Sequence, residues 1–99
     1  MNKQKLKGIS DNLFQIRGSI DFYSASEIWK ELEQKIFSLK KLTISFRNVN
    51  VVNSAALALI LEAQDQASQR GVEITFVDIP EKIRRLAELS NVSDLIFFQ

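Results

Sequence analysis

Few groups in this chain could do covalent or acid/base chemistry. Histidine and cysteine are both absent, which removes the usual general base, the commonest zinc ligand, any thiolate nucleophile and any disulfide framework. Asp11, Asp21, Asp65 and Asp78 form no motif with a second catalytic residue, and acid/base catalysis needs two groups held at a fitting separation beside a pocket. The three glycines, at 8, 18 and 71, are too scattered to cradle a phosphate. The run KIRR, Lys82 to Arg85, reads at helical spacing as a solvated face rather than an anion site. No catalytic residue, metal ligand set or cofactor is expected, and a binding role takes precedence over an enzymatic one.

One stretch stands out chemically: NVNVVNSAALALI, Asn48 to Ile60. A hydroxyl and two bare alanines sit between a β-like run, LTISF, and a helix-like run of Ala and Leu. If the strand stops near Arg47 and the helix begins at Asn53 or Ser54, the serine lies at a helix N-terminus, where the first backbone N–H groups lack partners. Ser54 or Asn53 then serves as the N-cap, worth about 1 kcal/mol. Small side chains at Ala55 and Ala56 would also leave the helix head uncovered, open to close approach by another molecule. The positive end of the helix dipole would stabilise a phosphate on Ser54. Leu57 and Leu61 fall on the flank of the core stripe and continue into Gln64 and Ser68. They either widen the core or form, with the helix head, a strip on which a partner docks.

The elements that must position this stretch follow from periodicity. Phe14, Ile16 and Ile20 alternate with Gln15 and Arg17; Leu42, Ile44 and Phe46 alternate with Thr43, Ser45 and Arg47; Val72, Ile74 and Phe76 alternate with Glu73 and Thr75. Each reads as a strand with one buried face, so the sheet should be covered mainly on one side. Ala25, Ile28, Trp29, Leu32, Ile36 and Leu39 recur at spacings of three and four, the mark of an amphipathic helix, and Trp29 on its inward edge reads as core. A second helix carries Ala56, Leu59, Ile60, Ala63 and Ala67 inward and stops at Gly71. A third opens at Pro80 with Ile83, Leu86 and Ala87 inward. Leu95 to Phe98 reads as a last strand, and Leu6 to Ile9 as an extra short one. The expected fold class is α/β: a mixed sheet of four to five strands with helices mainly on one face.

The totals agree with a small binding domain. Ninety-nine residues suffice for one core, so residues 1–99 are expected to form one domain. Thirteen Lys and Arg against 12 Asp and Glu give a net charge of +1, which leaves no footprint for nucleic acid or an anionic bilayer. The longest apolar run, Ala55 to Leu61, is far short of the roughly 18 residues that span a membrane. A cytoplasmic protein without direct membrane insertion is expected.

Three stretches resemble the STAS domain family, known from bacterial anti-sigma factor antagonists, sulfate transporter tails and a subunit of the Mla phospholipid-transport ABC complex. GSIDFYSASEIWKEL, Gly18 to Leu32, is similar to the family's segment running into helix one; VNVVNSAALALIL is similar to its Asp-Ser/Thr-x-Gly-Leu segment; PEKIRRLAELSNVSDLIFF is similar to its closing helix and strand. The resemblance implies that Ser54 matches the phosphoacceptor of the sigma-factor antagonists and that Asp21 lies near the partner surface; with the helix head and its flank read above, the candidate partner-binding residues are Asp21, Asn53, Ser54, Ala55, Ala56, Leu57 and Leu61. Asn53 stands where the family usually has Asp, and Ala56 where it usually has Gly. The expected role is a non-enzymatic subunit that binds and supports the ATPase of an ABC transporter. That transporter would move phospholipid to maintain outer-membrane lipid asymmetry, and the subunit would sit at the inner membrane through the complex. The alternative is an anti-sigma factor antagonist controlled by phosphorylation of Ser54, whose partner is an anti-sigma factor kinase.

Overall fold

A computed structural model describes residues 5–92. In chain order the elements are β1 (Leu6–Gly8), β2 (Leu13–Ile20), α1 (Phe22–Ser38), β3 (Lys41–Val52), α2 (Ser54–Gln69), β4 (Glu73–Val77) and α3 (Glu81–Leu89). The expected strand at Leu95 to Phe98 lies outside the described residues.

The described strands form one mixed sheet in the order β1-β2-β3-β4. β1 runs antiparallel to β2, while β2, β3 and β4 are mutually parallel. Right-handed crossovers through α1 and α2 between consecutive parallel neighbours carry both helices to the same face. One strand face is accordingly buried, at Phe14, Ile16 and Ile20 in β2, Leu42, Ile44 and Phe46 in β3, and Ile74 and Phe76 in β4. Phe46 and Phe76 meet edge to face with ring centroids 6.3 Å apart, an arrangement that places a positive ring edge on a negative face. Truncating either ring to Ala would cost about 3–5 kcal/mol.

The helices close the core from above. Ile28, Leu32 and Ile36, four residues apart, turn one face of α1 onto the sheet and are almost wholly buried. α2 is the middle helix, with α1 on one side and α3 on the other. Its end is set by Gly71, whose φ of +69° is costly for any residue with a Cβ. There Val72 N–H donates to the Ala67 carbonyl at 2.8 Å and Gly71 N–H to Ser68 at 3.3 Å, a Schellman closure.

The strand β3 departs from the expected boundary. It continues past Arg47 to Val52, and it does so through two irregularities against β2. Gln15 and Arg17 face Ser45 and Asn48, then Gly18 and Ile20 face Val49 and Val52, so β3 gains one residue at each step. The first extra residue flips the in/out alternation and brings Val49 against the core while Asn48 and Asn50 face out; the second flips it back and buries Val52. The apparent disorder of NVNVV is thus strand with its parity reversed twice.

Candidate functional site

The chain places two helix heads side by side. Ile20 and Val52 are register partners at the ends of β2 and β3, and each is followed by a one-residue link into a helix, Asp21 into α1 and Asn53 into α2. Both heads therefore emerge beyond the carboxyl ends of parallel strands, the place where α/β sheets commonly present their binding groups.

At the head of α1, Asp21 has extended backbone angles and its Oδ1 accepts from the N–H groups of Tyr23 and Ser24, both at 2.9 Å. Ser24 Oγ in turn accepts from Asp21 N–H at 2.9 Å and donates to the Ser19 carbonyl at 2.8 Å. This reciprocal capping box satisfies orphan donors on both sides. The Ser24 N–H, and after it that of Tyr23, hold the Asp21 carboxyl below its ordinary range, against an opposing effect of desolvation that is smaller than the Ser24 contribution; Lys5 adds to the lowering. The carboxylate expected at the partner surface is exposed, but its local contacts serve its own helix.

The head of α2 is built more sparsely. Asn53 is the N-cap: its Oδ1 accepts from Ala55 N–H at 2.8 Å and its carbonyl accepts from Ala56 N–H at 3.0 Å. Ser54 is the first helical residue and is exposed. Its hydroxyl is not the cap, which resolves the choice left open by the sequence and leaves the oxygen facing solvent.

The neighbours of Ser54 correct the expected contact surface. Ala55 is 4% exposed, Ala56 0% and Leu57 8%. Ala56 and Leu57 belong to the hydrophobic core, and Leu61 is half-buried against it. The alanines are small because the first turn of α2 is pressed onto the domain, so they do not leave the head bare. Leu57, about 200° round α2 from Ala55, is buried as well, and this widens the buried arc beyond the stripe read from the sequence. What remains accessible at this head is Ser54, half-buried Asn53, exposed Ala58 and the half-buried Leu61.

Sequence reasoning passed over Phe22 and Tyr23, which are 72% and 86% exposed beside this head. The signal was present: Asp21 and Ser24 at capping-box spacing put residues 22 and 23 in a first turn outside the inward stripe. No group of three or more acidic side chains among the described residues could hold a metal ion. Among them, too, no helix is long and apolar enough to cross a membrane.

The STAS domain family model matches residues 1–99. This chain belongs to the STAS domain family. A STAS-domain containing protein of Pseudomonas aeruginosa (strain UCBPP-PA14) is 24% identical over 81 residues, 82% of this chain and 80% of its own. Among solved structures, an anti-sigma factor antagonist from Mycobacterium paratuberculosis superposes with a TM-score of 0.75 at 14% identity, over 94% of this STAS domain and 80% of its own chain. The anti-sigma factor antagonist SpoIIAA in its unphosphorylated form gives 0.71 at 12% identity, covering 95% and 85%. The phosphorylated form of the Bacillus cell fate determinant SpoIIAA gives 0.70 at 12% identity, covering 95% and 88%. At these identities the likeness establishes the fold, an α/β domain with a four-stranded mixed sheet and three helices among the described residues. STAS domains of this kind are generally binding modules without catalytic activity.

Proposed function

We propose that this STAS domain is a non-enzymatic protein-binding module of the anti-sigma factor antagonist type, whose α2 head docks on a kinase-like anti-sigma factor. The observation that carries this reading is Ser54: exposed, first in its helix, and relieved of capping by Asn53. Fold neighbours that are anti-sigma factor antagonists, one of them solved with and without phosphate, support it. Transfer of the γ-phosphoryl group of ATP to Ser54 Oγ, with loss of the hydroxyl proton and release of ADP, adds a charge of about −1.5 to −2. The helix dipole favours that charge within the domain, while its bulk and sign block a partner fitted to a neutral hydroxyl. The fold survives and the complex does not.

Incubation with MgATP and the kinase-like anti-sigma factor of the host organism tests the reading. Label at Ser54 and dissociation of the complex are expected, with Ser54→Ala unlabelled and constitutively bound. Absence of both complex and label overturns the proposal.

A second reading, a subunit on the ATPase of a phospholipid-transporting ABC complex, is favoured by one feature. Asn53 caps α2 as an Asp would, yet brings no negative charge beside Ser54 for a kinase to recognise, whereas a steric dock needs only the exposed hydroxyl. Recovery of an ABC ATPase together with membrane proteins, in place of a soluble kinase-like protein, decides for this second partner.

A further inference from the structure

An open apolar groove lies between the N-terminal halves of α1 and α2, immediately beside Ser54. It has a volume of about 240 Å³ and is lined by Phe22, Ala25, Trp29, Ala55, Ala58 and Leu59, with Ser26 and Glu62 at its edges. The spacing explains the shape. Residues 22, 25/26 and 29 recur on one face of α1 and residues 55, 58/59 and 62 on one face of α2, and the alanines that let the first turn of α2 settle onto the domain also leave a trough between the helices.

The charges around this trough have one prevailing sign. α1, α2 and their caps carry Asp21, Glu27, Glu31, Glu33, Glu62 and Asp65 against Lys30, Lys35 and, at the far C-cap of α2, Arg70, although the whole chain has a net charge of +1. Lys35 is drawn away over the Phe14 ring and Glu31 accepts from the N–H groups of Lys5 and Leu6, so both serve the sheet side of α1. On the groove side, Glu62 lies at the edge, and Glu33 and Asp65 continue its two walls by one turn, with Lys30 one turn from Ser26 as the cation of α1 nearest those walls.

We propose that this groove receives an amphipathic helix of the protein partner, with an apolar anchor seated against Phe22 and Trp29 and Lys or Arg on its flanks. This rests on the reading of the α2 head as the partner surface and deepens it by naming the chemistry of what docks there. An exposed aromatic beside a small apolar trough is the usual form of an interface anchor site, an apolar stripe at i, i+3/i+4, i+7 is what fills such a groove, and the acidic walls select basic flanks. Phosphate on Ser54, at the mouth of the groove, would sit next to the same helix.

The chain contains one tryptophan, Trp29, in the groove wall, so its fluorescence reports occupancy directly. The full chain is titrated with a synthetic helical peptide bearing a Leu stripe flanked by Lys, and with a matched peptide flanked by Glu. Saturable change in Trp29 emission with the Lys peptide only is expected, weakened about tenfold or more by Phe22→Ala and by Glu62→Lys, both surface changes whose folding is checked by circular dichroism. Glu88→Ala, exposed on α3 and outside the groove, leaves this titration unchanged; the peptides need no host partner, so a failure of the groove is separable from a failure of the α2 head, which is read from partner binding. Equal response to the two peptides, or none to either, overturns the proposal. So does sedimentation showing a dimer that Phe22→Ala converts to monomer, since the groove would then belong to a second copy.

Discussion

The two helix heads start from neighbouring strand ends and solve the same problem differently. Every helix opens with N–H groups that have no partner within it. α1 answers with a charged cap, a reciprocal serine and a depressed carboxyl pKa; α2 answers with one amide oxygen and leaves the next residue's hydroxyl to solvent. The difference teaches that polarity at a helix head is not itself a sign of function. A side chain engaged by its own backbone stabilises the fold, and one left over beside it is free to meet a partner.

Substitutions at four positions press on that contrast. Ser54→Lys should weaken partner binding about a hundredfold or more, while the denaturant midpoint shows less than about 1 kcal/mol of stability change, the cost of a cation at the helix's positive end. A large loss of stability here would make Ser54 structural and erase the contrast. Ala56→Leu should destabilise by about 1–3 kcal/mol through overpacking, because Ala56 is wholly buried; urea unfolding reads it, and a neutral result would mean that the α2 head has room to shift.

Asp21→Ala should lower the thermal midpoint more than Asn53→Ala does, since it removes two accepted side-chain hydrogen bonds where Asn53→Ala removes one. It should leave binding through Ser54 intact. The pH dependence sharpens this. Folding lowers the Asp21 carboxyl pKa, chiefly through the Ser24 N–H, so its contribution is complete at neutral pH and is lost as the pH falls through the depressed value, below the usual carboxylate range. Stability curves of the natural chain and Asp21→Asn should therefore converge in acid and separate near neutrality. Asn53→Ala gives the smallest effect, about 1 kcal/mol or less, measured by urea unfolding; an effect larger than that of Asp21→Ala would reverse the comparison.

Much of the fold was legible because the core obeys simple periods. The alternation at Phe14, Ile16 and Ile20, at Leu42, Ile44 and Phe46, and at Ile74 and Phe76 marked three strands, and the spacing of Ile28, Leu32 and Ile36 marked α1. The misread part was the one that reaches the site. Two extra residues in β3 reverse its alternation twice, so Asn48 to Val52 has no period to detect and the strand reads as ending near Arg47. Leu57 is buried in the core cluster on a helix face outside the inward stripe, a tertiary fact with no local signature. Ser54 was legible as a candidate from its residue type and place, but whether it or Asn53 capped the helix depended on where β3 ended. Phe22 and Tyr23 were overlooked because an apolar pair beside a helical stripe reads as an extension of it.

The paired irregularities of β3 have a consequence for how this domain tolerates changes in length. Removing one residue between Ser45 and Asn48 would leave a single reversal, turning the Val52 side chain to solvent and rotating everything downstream. Removing one residue from each irregularity would restore Val52 to the interior and keep it opposite Ile20, leaving the start of α2 in place beside the end of β2. Single deletions here should abolish folding where compensated pairs survive, so natural variation in this strand should come in even numbers.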